Sequence, residues 1–288
     1  MHFLENFMLL IKNDMEKSPM VSIVLCSYNG EKYISEQVDS ILKQSYSDFE
    51  LIISDDYSSD GTMAILRGYE RLDVRIKIIE NPNNVGLAKN FERGLMIARG
   101  KYIAMSDQDD YCLPNKIESQ VLFLEQNNEI GLVFHDSVIV SSDLKETHGS
   151  FLEKLGKKEL LLNCIDRPLD LSFFIHENCI QGATMLFRSD LVKTIIPIID
   201  GIPFVDVWIA FIAASIEKIY YLDEIYMKYR QHSSNTIGAS TRDWKFFINR
   251  LQSKKISLDY LSNGKSYTLI LKEITEKKIT NKNGQKPA

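Results

Sequence analysis

Cysteine is scarce in this chain of 288 residues: Cys26, Cys112, Cys164 and Cys179 lie far apart and form no C-x-x-C pair. Zinc ribbons and disulfide frameworks are thereby disfavoured, and a reducing cytoplasm is the expected compartment. Long apolar runs are missing as well. No stretch approaches 18 apolar residues, and the opening "MHFLENFMLLIKNDMEKSP" has neither the basic leader nor the small-residue cleavage site of a signal peptide. Positive charge is not in excess, since 34 basic residues face 39 acidic ones for a net charge of −5. That balance argues against a nucleic-acid partner, which needs a basic face. Nor does the chain contain G-x-x-x-x-G-K-[ST], a G-x-G-x-x-G after its first strand, H-E-x-x-H or G-x-S-x-G. P-loop NTPases, dinucleotide dehydrogenases, zincins and serine hydrolases lose their main support.

What is present is an ordinary globular composition, 44% apolar and 25% charged, enough for one large α/β domain with an appendage. From Met20 onward, short apolar runs alternate with helix-period segments. "VSIVLC", "FELIIS", "RIKIIE" and "KYIAMS" are expected to be strands buried on both faces, and "EKYISEQVDSILKQS", "TMAILRGYERL" and "LAKNFERGLMIARG" to be helices. This βαβαβαβ order predicts a mostly parallel sheet flanked by helices. A helix over residues 116–126 follows Pro114, then "GLVFHDSVIVSSD" as a strand pair or hairpin, "QGATMLF" as a strand, "DVWIAFIAASI" as a helix, and "KIYYLD" and "IYMKYRQ" as two strands. Residues 240–280 read as amphipathic helix, with Trp244, Phe247, Ile248 and Leu251 on one face and a disordered end. Over residues 252–288, eight lysines face three acids, a basic tail compatible with peripheral contact to anionic lipid.

In an open parallel sheet, ligands bind beyond the carboxyl ends of the strands. Polar clusters stand at those ends here: "SYNGEKY" after the first strand, "SDDYSSDGT" after the second and "SDQDDYCLP" after the fourth. Tyr28 offers an aromatic face and Asn29-Gly30 a turn, while Asp55 and Asp56 can accept hydrogen bonds from a ring N–H. Three carboxylates within four positions, Asp107, Asp109 and Asp110, repel one another unless something positive sits among them. A divalent Mg²⁺ or Mn²⁺ answers that need, because such ions are held by one or two carboxylates plus phosphate oxygens. Taken alone, a D-x-D is more often a solvated acidic turn; its place after a buried strand shifts the balance toward the metal.

"VSIVLCSYNGEKYISEQVDSILKQSYSDFELIISDDYSSDGT", followed by "NNVGLAKNFERGLMIARGKYIAMSDQDDYCLPNKI", resembles the inverting glycosyltransferases of family 2, over roughly residues 20–235. "SDQDD" and "YRQHSSNTIG" resemble the bacterial rhamnosyltransferase-like branch, which builds surface polysaccharides such as O-antigen or capsule. The resemblance implies a GT-A fold, with a nucleotide-binding half (20–115), an acceptor-binding half (116–235), an N-terminal tail (1–19) and a helical C-terminal extension (236–288). It also implies a metal-dependent transfer of a sugar from a UDP- or dTDP-sugar to a hydroxyl of a glycan or lipid-linked glycan, in the cytoplasm or at the inner face of the membrane.

Carried over position by position, the resemblance places Tyr28 against the nucleobase and makes Asp56 the acceptor of the base N3–H, with Ser27, Asn29 and Asn90 around the nucleotide. Asp109 becomes the metal-binding acid, while Asp107 faces the ribose or sugar hydroxyls or shares the metal. An inverting transfer needs a carboxylate to take the acceptor's proton. Asp206 in "PFVDVWIAF" matches the family's acid at the head of the acceptor-side helix, with Trp208 beside it, although Val205 and Val207 depart from the branch's His-Asp-Trp-Trp; an Asp here can also be a helix cap. Arg230 and His232 are candidates for the diphosphate or the metal, and Gln181 and Gly182 for the floor beneath the donor sugar. His135 and Asp136 are further candidates at the end of another strand. The competing readings are a sugar nucleotidyltransferase, for which "SYNGEKYISE" lacks the Gly-rich basic loop, and an inactive nucleotide-sugar-binding paralogue.

Overall fold

Runs of β-branched and aromatic residues bounded by polar turns become strands, and segments with apolar residues at i, i+3/i+4 and i+7 become the helices that cover them. The computed structural model describes residues 18–169, 173, 179–198, 204–233 and 235. The first half follows β1 (Val21–Ser27), α1 (Ile34–Leu42), β2 (Phe49–Asp55), α2 (Thr62–Leu72), β3 (Ile76–Glu80), α3 (Leu87–Ile97) and β4 (Tyr102–Ser106). The second half runs β5 (Tyr111–Cys112), α4 (Lys116–Gln126), β6 (Ile130–Val140), β7 (Glu146–Ser150), α5 (Phe151–Lys154) and α6 (Lys158–Leu162). After these come β8 (Leu186–Arg188), α7 (Val192–Ile195), α8 (Val205–Ile216) and β9 (Lys218–Arg230). The expectations for residues 1–17 and 236–288, including the amphipathic 240–280 helix, lie outside the described residues.

The strands form one mixed sheet in the order β3-β2-β1-β4-β8-β6-β9-β5, with β7 beside β6. β1, β2, β3 and β4 are mutually parallel, β8 runs against both β4 and β6, and β9 runs parallel to β6. Most paired residues therefore lie in parallel ladders, and the whole is the mixed, mostly parallel, helix-flanked arrangement expected. One face packs Val24, Ile103, Phe134 and Phe187 against α3 and α8. The other packs Ile23, Leu25, Leu51 and Val133 against α1 and α4.

Four expectations are corrected. β3 is the edge strand and only partly buried, since its outer flank has no neighbour to cover Lys77 and Glu80. "KIYYLD" and "IYMKYRQ" form the single strand β9, because the polar Asp223-Glu224 step is absorbed as an irregularity opposite His135 and Asp136 rather than as a turn. "QGATMLF" divides into a 3₁₀ turn over Gly182–Thr184 and the three-residue β8. His135 and Asp136 lie in mid-strand, fully buried, instead of at a strand end. Burial and the nearby Lys116 ammonium push the His135 imidazole down to about 3, so it is a neutral core residue.

Glu50, near the start of β2 and opposite the ligand-facing end of the sheet, ties three elements together. It accepts from Ser22 Oγ at 2.7 Å, Lys77 Nζ at 2.9 Å, and Arg99 through its backbone N–H at 3.0 Å and its guanidinium at 2.9 Å. Burial alone would raise its pKa, but these donors outweigh burial and hold it at about 2 against an ordinary 4.5. The stabilisation is thus complete above pH 4.5 and is lost as the pH falls through about 2. Glu50→Gln is expected to lower the unfolding free energy at pH 7 by about 2 kcal/mol, less than for a fully buried pair because Lys77 and Arg99 are half-exposed. It should also flatten the acid-induced loss of stability. Urea titrations at neutral and acid pH read both effects, and an unchanged midpoint at pH 7 would contradict the assignment.

Candidate active site

At the carboxyl ends of β1, β2 and β4 the loops part around a cavity of about 710 Å³. Ser27, Tyr28, Asn29, Asp56, Asn90, Asp107, Asp109, Gln181, Gly182, Asp206 and His232 all line it. Trp208 and Arg230 do not.

The first wall is built by backbone conformation. Asn29 has φ +48°, a left-handed position that Asn tolerates, and its side-chain oxygen accepts the Ser59 N–H at 2.8 Å. Ser58 Oγ in turn accepts the Asn29 N–H at 2.9 Å. Asp55 holds the 56–60 loop by accepting from Ser27 Oγ, Ser58 N and Ser58 Oγ at 2.6–2.8 Å. Between these loops the Tyr28 ring is half-exposed to the cavity. Asp56 is buried and accepts from Val85 N at 2.7 Å, Gly86 N at 2.9 Å and Asn81 Nδ2 at 3.0 Å. Three donors against the roughly four lone-pair sites of a carboxylate leave it one acceptor position. Asn90 contributes wall rather than hydrogen bonds, because its amide is engaged by Ser54 Oγ, the Ser54 carbonyl and Asn81.

The second wall carries the acids. Asp109 Oδ2 lies 2.9 Å from His232 Nε2. Asp110 is buried, and burial first, then the neighbouring Asp109 and Asp107 charges, push its carboxyl well above the usual carboxylate range. The same burial, with the Asp107 and Asp56 charges, raises the Cys26 thiol at the cavity's base. Among the described residues no three His, Cys, Asp or Glu side chains converge as a self-sufficient metal cage. Mg²⁺ and Mn²⁺ do not require one, being held by one or two protein ligands with water and phosphate oxygens. Asp109 and His232 are hydrogen-bonded to each other at 2.9 Å, which places both donor atoms within reach of one ion. The donor types fit such an ion, and Asp109 and His232 are the residues that would hold it.

Opposite these, Asp206 is half-buried one residue inside α8, where Phe204 is the N-cap. The alternative of Asp206 as the helix cap is thereby set aside. Its Oδ1 accepts the Val207 N–H at 2.8 Å, and the Gly182 N–H approaches its Oδ2 at 3.3 Å. Gly182 lets the chain come this close: a Cβ there would stand 3.3 Å from Asp206 Cβ and 3.4 Å from Met105 Cε. Gln181 beside it accepts from Ser137 Oγ at 2.5 Å.

Two predicted site residues are structural. Trp208 is 1% exposed, and its indole N–H donates to the Ile195 carbonyl at 2.8 Å. Residues two apart on a helix face nearly opposite ways, so Asp206 toward the cavity puts Trp208 in the core. Arg230 is likewise 1% exposed. Its guanidinium donates to the Asp109 carbonyl at 2.8 Å, the Ser142 carbonyl at 2.6 Å and Glu36 at 2.5 Å, bolting the end of β9 to the acidic loop and α1.

Sequence reasoning missed Gln108, Asn235, Tyr33 and Lys32. The Gln108 side chain pairs with the Tyr28 backbone in both directions, accepting at 2.8 Å and donating at 3.1 Å, which joins the two walls. A Cβ at position 30 would meet Gln108 Oε1 at 2.2 Å, so any larger residue there would push the Gln108 side chain out of this pairing. The signal was present, because Gln108 is the middle residue of "SDQDD". Asn235 accepts the His232 N–H at 2.5 Å and donates to the Arg230 carbonyl at 3.1 Å, which sets the His232 loop.

The sequence model of "Glycosyl transferase family 2" matches residues 22–196. An uncharacterized glycosyltransferase of Haemophilus influenzae is 39% identical over 145 residues, covering 50% of this chain and 40% of that protein. Another, from Methanocaldococcus jannaschii, is 30% identical over 222 residues, covering 75% and 72%. WfgD of Escherichia coli, a UDP-Glc:alpha-D-GlcNAc-diphosphoundecaprenol beta-1,3-glucosyltransferase, is 36% identical over 147 residues, covering 50% and 56%. The chain thus spans about half the length, or less, of two of these three relatives. Among solved structures, S. aureus TarS in complex with UDP-GlcNAc superposes with a TM-score of 0.59 at 18% identity, covering 81% of this chain and 64% of that one. The mannosyltransferase PcManGT from Pyrobaculum calidifontis, in complex with GDP-Man and Mn²⁺, gives 0.56 at 17%, covering 88% and 67%. These two likenesses are of fold. No helix among the described residues is long and apolar enough to cross a membrane. With the family match running through more than half of its residues, the chain belongs to glycosyltransferase family 2.

Proposed function

We propose that the protein is an inverting glycosyltransferase that moves a sugar, with rhamnose one candidate, from a UDP- or dTDP-sugar to a hydroxyl of a glycan or lipid-linked glycan in surface-polysaccharide synthesis. The observation that carries the reading is the meeting of an aromatic face, a buried acceptor carboxylate, an acid–imidazole pair and a second, separate carboxylate around one cavity. Family membership adds to it. So does the WfgD relative, whose name states a UDP-glucose donor and a diphosphoundecaprenol-linked acceptor.

Tyr28 stacks on the base. Asp56 accepts the N3–H that uracil and thymine carry and cytosine lacks. Asp107 meets the ribose or the sugar hydroxyls, Gln181 and Gly182 form the floor beneath the sugar, and the donor's anomeric carbon is turned toward Asp206. Asp206 takes the proton of the acceptor hydroxyl as that oxygen attacks from the face opposite the diphosphate. A divalent ion held by Asp109 and His232 supplies, when bound, charge neutralisation on the departing diphosphate. The reaction takes place in the cytoplasm, at the inner face of the membrane when the acceptor is lipid-linked.

A thermal-shift comparison of UDP-, dTDP-, CDP- and GDP-sugars, with and without Mn²⁺, tests the donor. A ligand at about a hundred times its Kd stabilises by about 2.7 kcal/mol, or roughly 5–10 °C for a domain of this size. UDP- or dTDP-sugars should give that shift with Mn²⁺, and CDP-sugars should not. No shift with any of them would overturn the reading.

A further inference from the structure

The cavity has a charge problem that its assigned residues leave open. Asp56, Asp107, Asp109 and Asp206 line it, beside the buried Asp110, whose own carboxyl resists ionisation there. A nucleoside diphosphate sugar brings two more negative charges, and the leaving diphosphate gains a third. One divalent ion at Asp109 and His232 offsets only two of these negative charges. Arg230, the sequence's candidate for the phosphates, is buried behind the acidic loop with its nitrogens on Asp109, Ser142 and Glu36.

Among the described residues that line the cavity, Lys32 is the only lysine or arginine. It stands in the exposed turn between Gly30 and α1. That turn is fixed by the Gly30 N–H donating to Thr62 Oγ1 at 2.8 Å and by the Tyr33 N–H donating to the Gly30 carbonyl at 3.0 Å. Its ammonium lies 4.8 Å from the centroid of the Tyr33 ring. The same ring lies 4.6 Å from that of His232, whose Nε2 is 2.9 Å from Asp109. The Tyr33 ring is thus shared by the Lys32 ammonium, the His232 imidazole and the Arg230 guanidinium at 4.5 Å, and Lys32, Tyr33, Asp109 and His232 all line the same cavity. A lysine presents a compact charge on a flexible four-carbon stem, which suits a phosphate that changes charge as a bond breaks.

We propose that Lys32 binds the donor's diphosphate directly and shares its charge with the ion at Asp109 and His232. The inference rests on the nucleotide-sugar reading of the same cavity. It separates from that reading by asking for a phosphate-specific effect. The experiment is calorimetric titration of the full chain, with Mn²⁺ present, by UDP and uridine and by dTDP and thymidine. A charge-assisted hydrogen bond corresponds to about tenfold to a hundredfold in affinity. Lys32→Ala should weaken the diphosphate by that factor and leave the nucleoside unchanged, Lys32→Arg should restore most of the loss, and the salt dependence of diphosphate binding should shrink in Lys32→Ala. Equal diphosphate affinities for wild type and Lys32→Ala would overturn the proposal alone, as would an equal loss for diphosphate and nucleoside. Wild-type protein that binds neither UDP nor dTDP would overturn both the proposal and the reading beneath it.

Discussion

Asp206→Asn is expected to abolish sugar transfer, by about 10³-fold or more, while donor affinity stays within a factor of two of wild type. The magnitude follows from what a positioned general base contributes, about 10²–10⁴-fold. The selectivity follows from geometry. Asn has the shape of Asp, so its oxygen can still accept the Val207 N–H now held at 2.8 Å, and the close approach of Gly182 is undisturbed. What the amide lacks is a lone pair basic enough to take a proton from an attacking hydroxyl. Asp206 is half-buried and faces the cavity from α8, on a different element from Tyr28, Asp56 and Asp109, so the nucleotide end of the site has no reason to feel the change. Transfer assays and donor titration on the same preparation measure the split. If kcat survives in Asp206→Asn, the base lies elsewhere. If the wild type binds donor yet neither transfers nor slowly hydrolyses it, the inactive-paralogue reading prevails over the enzyme.

The first half of the chain was legible because its local and global signals agree. β1, β2 and β4 are continuous apolar runs, which is what a strand covered on both faces needs, and the loops that follow them carry the polar residues that gather around the cavity. The second half was harder for a specific reason. Its longest ladder, β6 against β9, joins residues about ninety positions apart, and its register shifts at His135 and Asp136, so no local period announces it. Side-chain direction was the other blind spot. Trp208 follows Asp206 closely in sequence yet points into the core, and Arg230 adjoins the His232 loop yet turns inward to Glu36. Conversely, Lys32 and Gln108 lie inside the polar clusters "SYNGEKY" and "SDQDD", but only the fold brings Gln108 across to the Tyr28 backbone, 80 residues away.

Asp109→Ala should behave differently from Asp206→Asn, losing both transfer and the Mn²⁺-dependent part of donor binding. Asp109 contributes to the fold through its backbone, whose carbonyl accepts from Arg230 Nε at 2.8 Å, and an alanine keeps that bond. The side chain meets His232 at 2.9 Å and, more distantly, Asn235 at 3.5 Å, both of which line the cavity. Truncation therefore removes a ligand atom without removing a structural strut, and the melting temperature of the ligand-free protein should move by no more than a few degrees. Transfer should fall by more than about 10³-fold, because neutralising a departing diphosphate is worth several kcal/mol. The donor's thermal shift should become the same with and without Mn²⁺. Chelation of the wild type with EDTA should reproduce the loss of transfer, and added Mn²⁺ should reverse it. Full turnover in EDTA would remove the ion from the scheme and leave Asp107, Asp109 and Asp110 as an acidic rim around a diphosphate, an arrangement that charge repulsion disfavours unless Lys32 alone suffices. Donor binding by Asp109→Ala that still responds to Mn²⁺ would instead move the ion to Asp107.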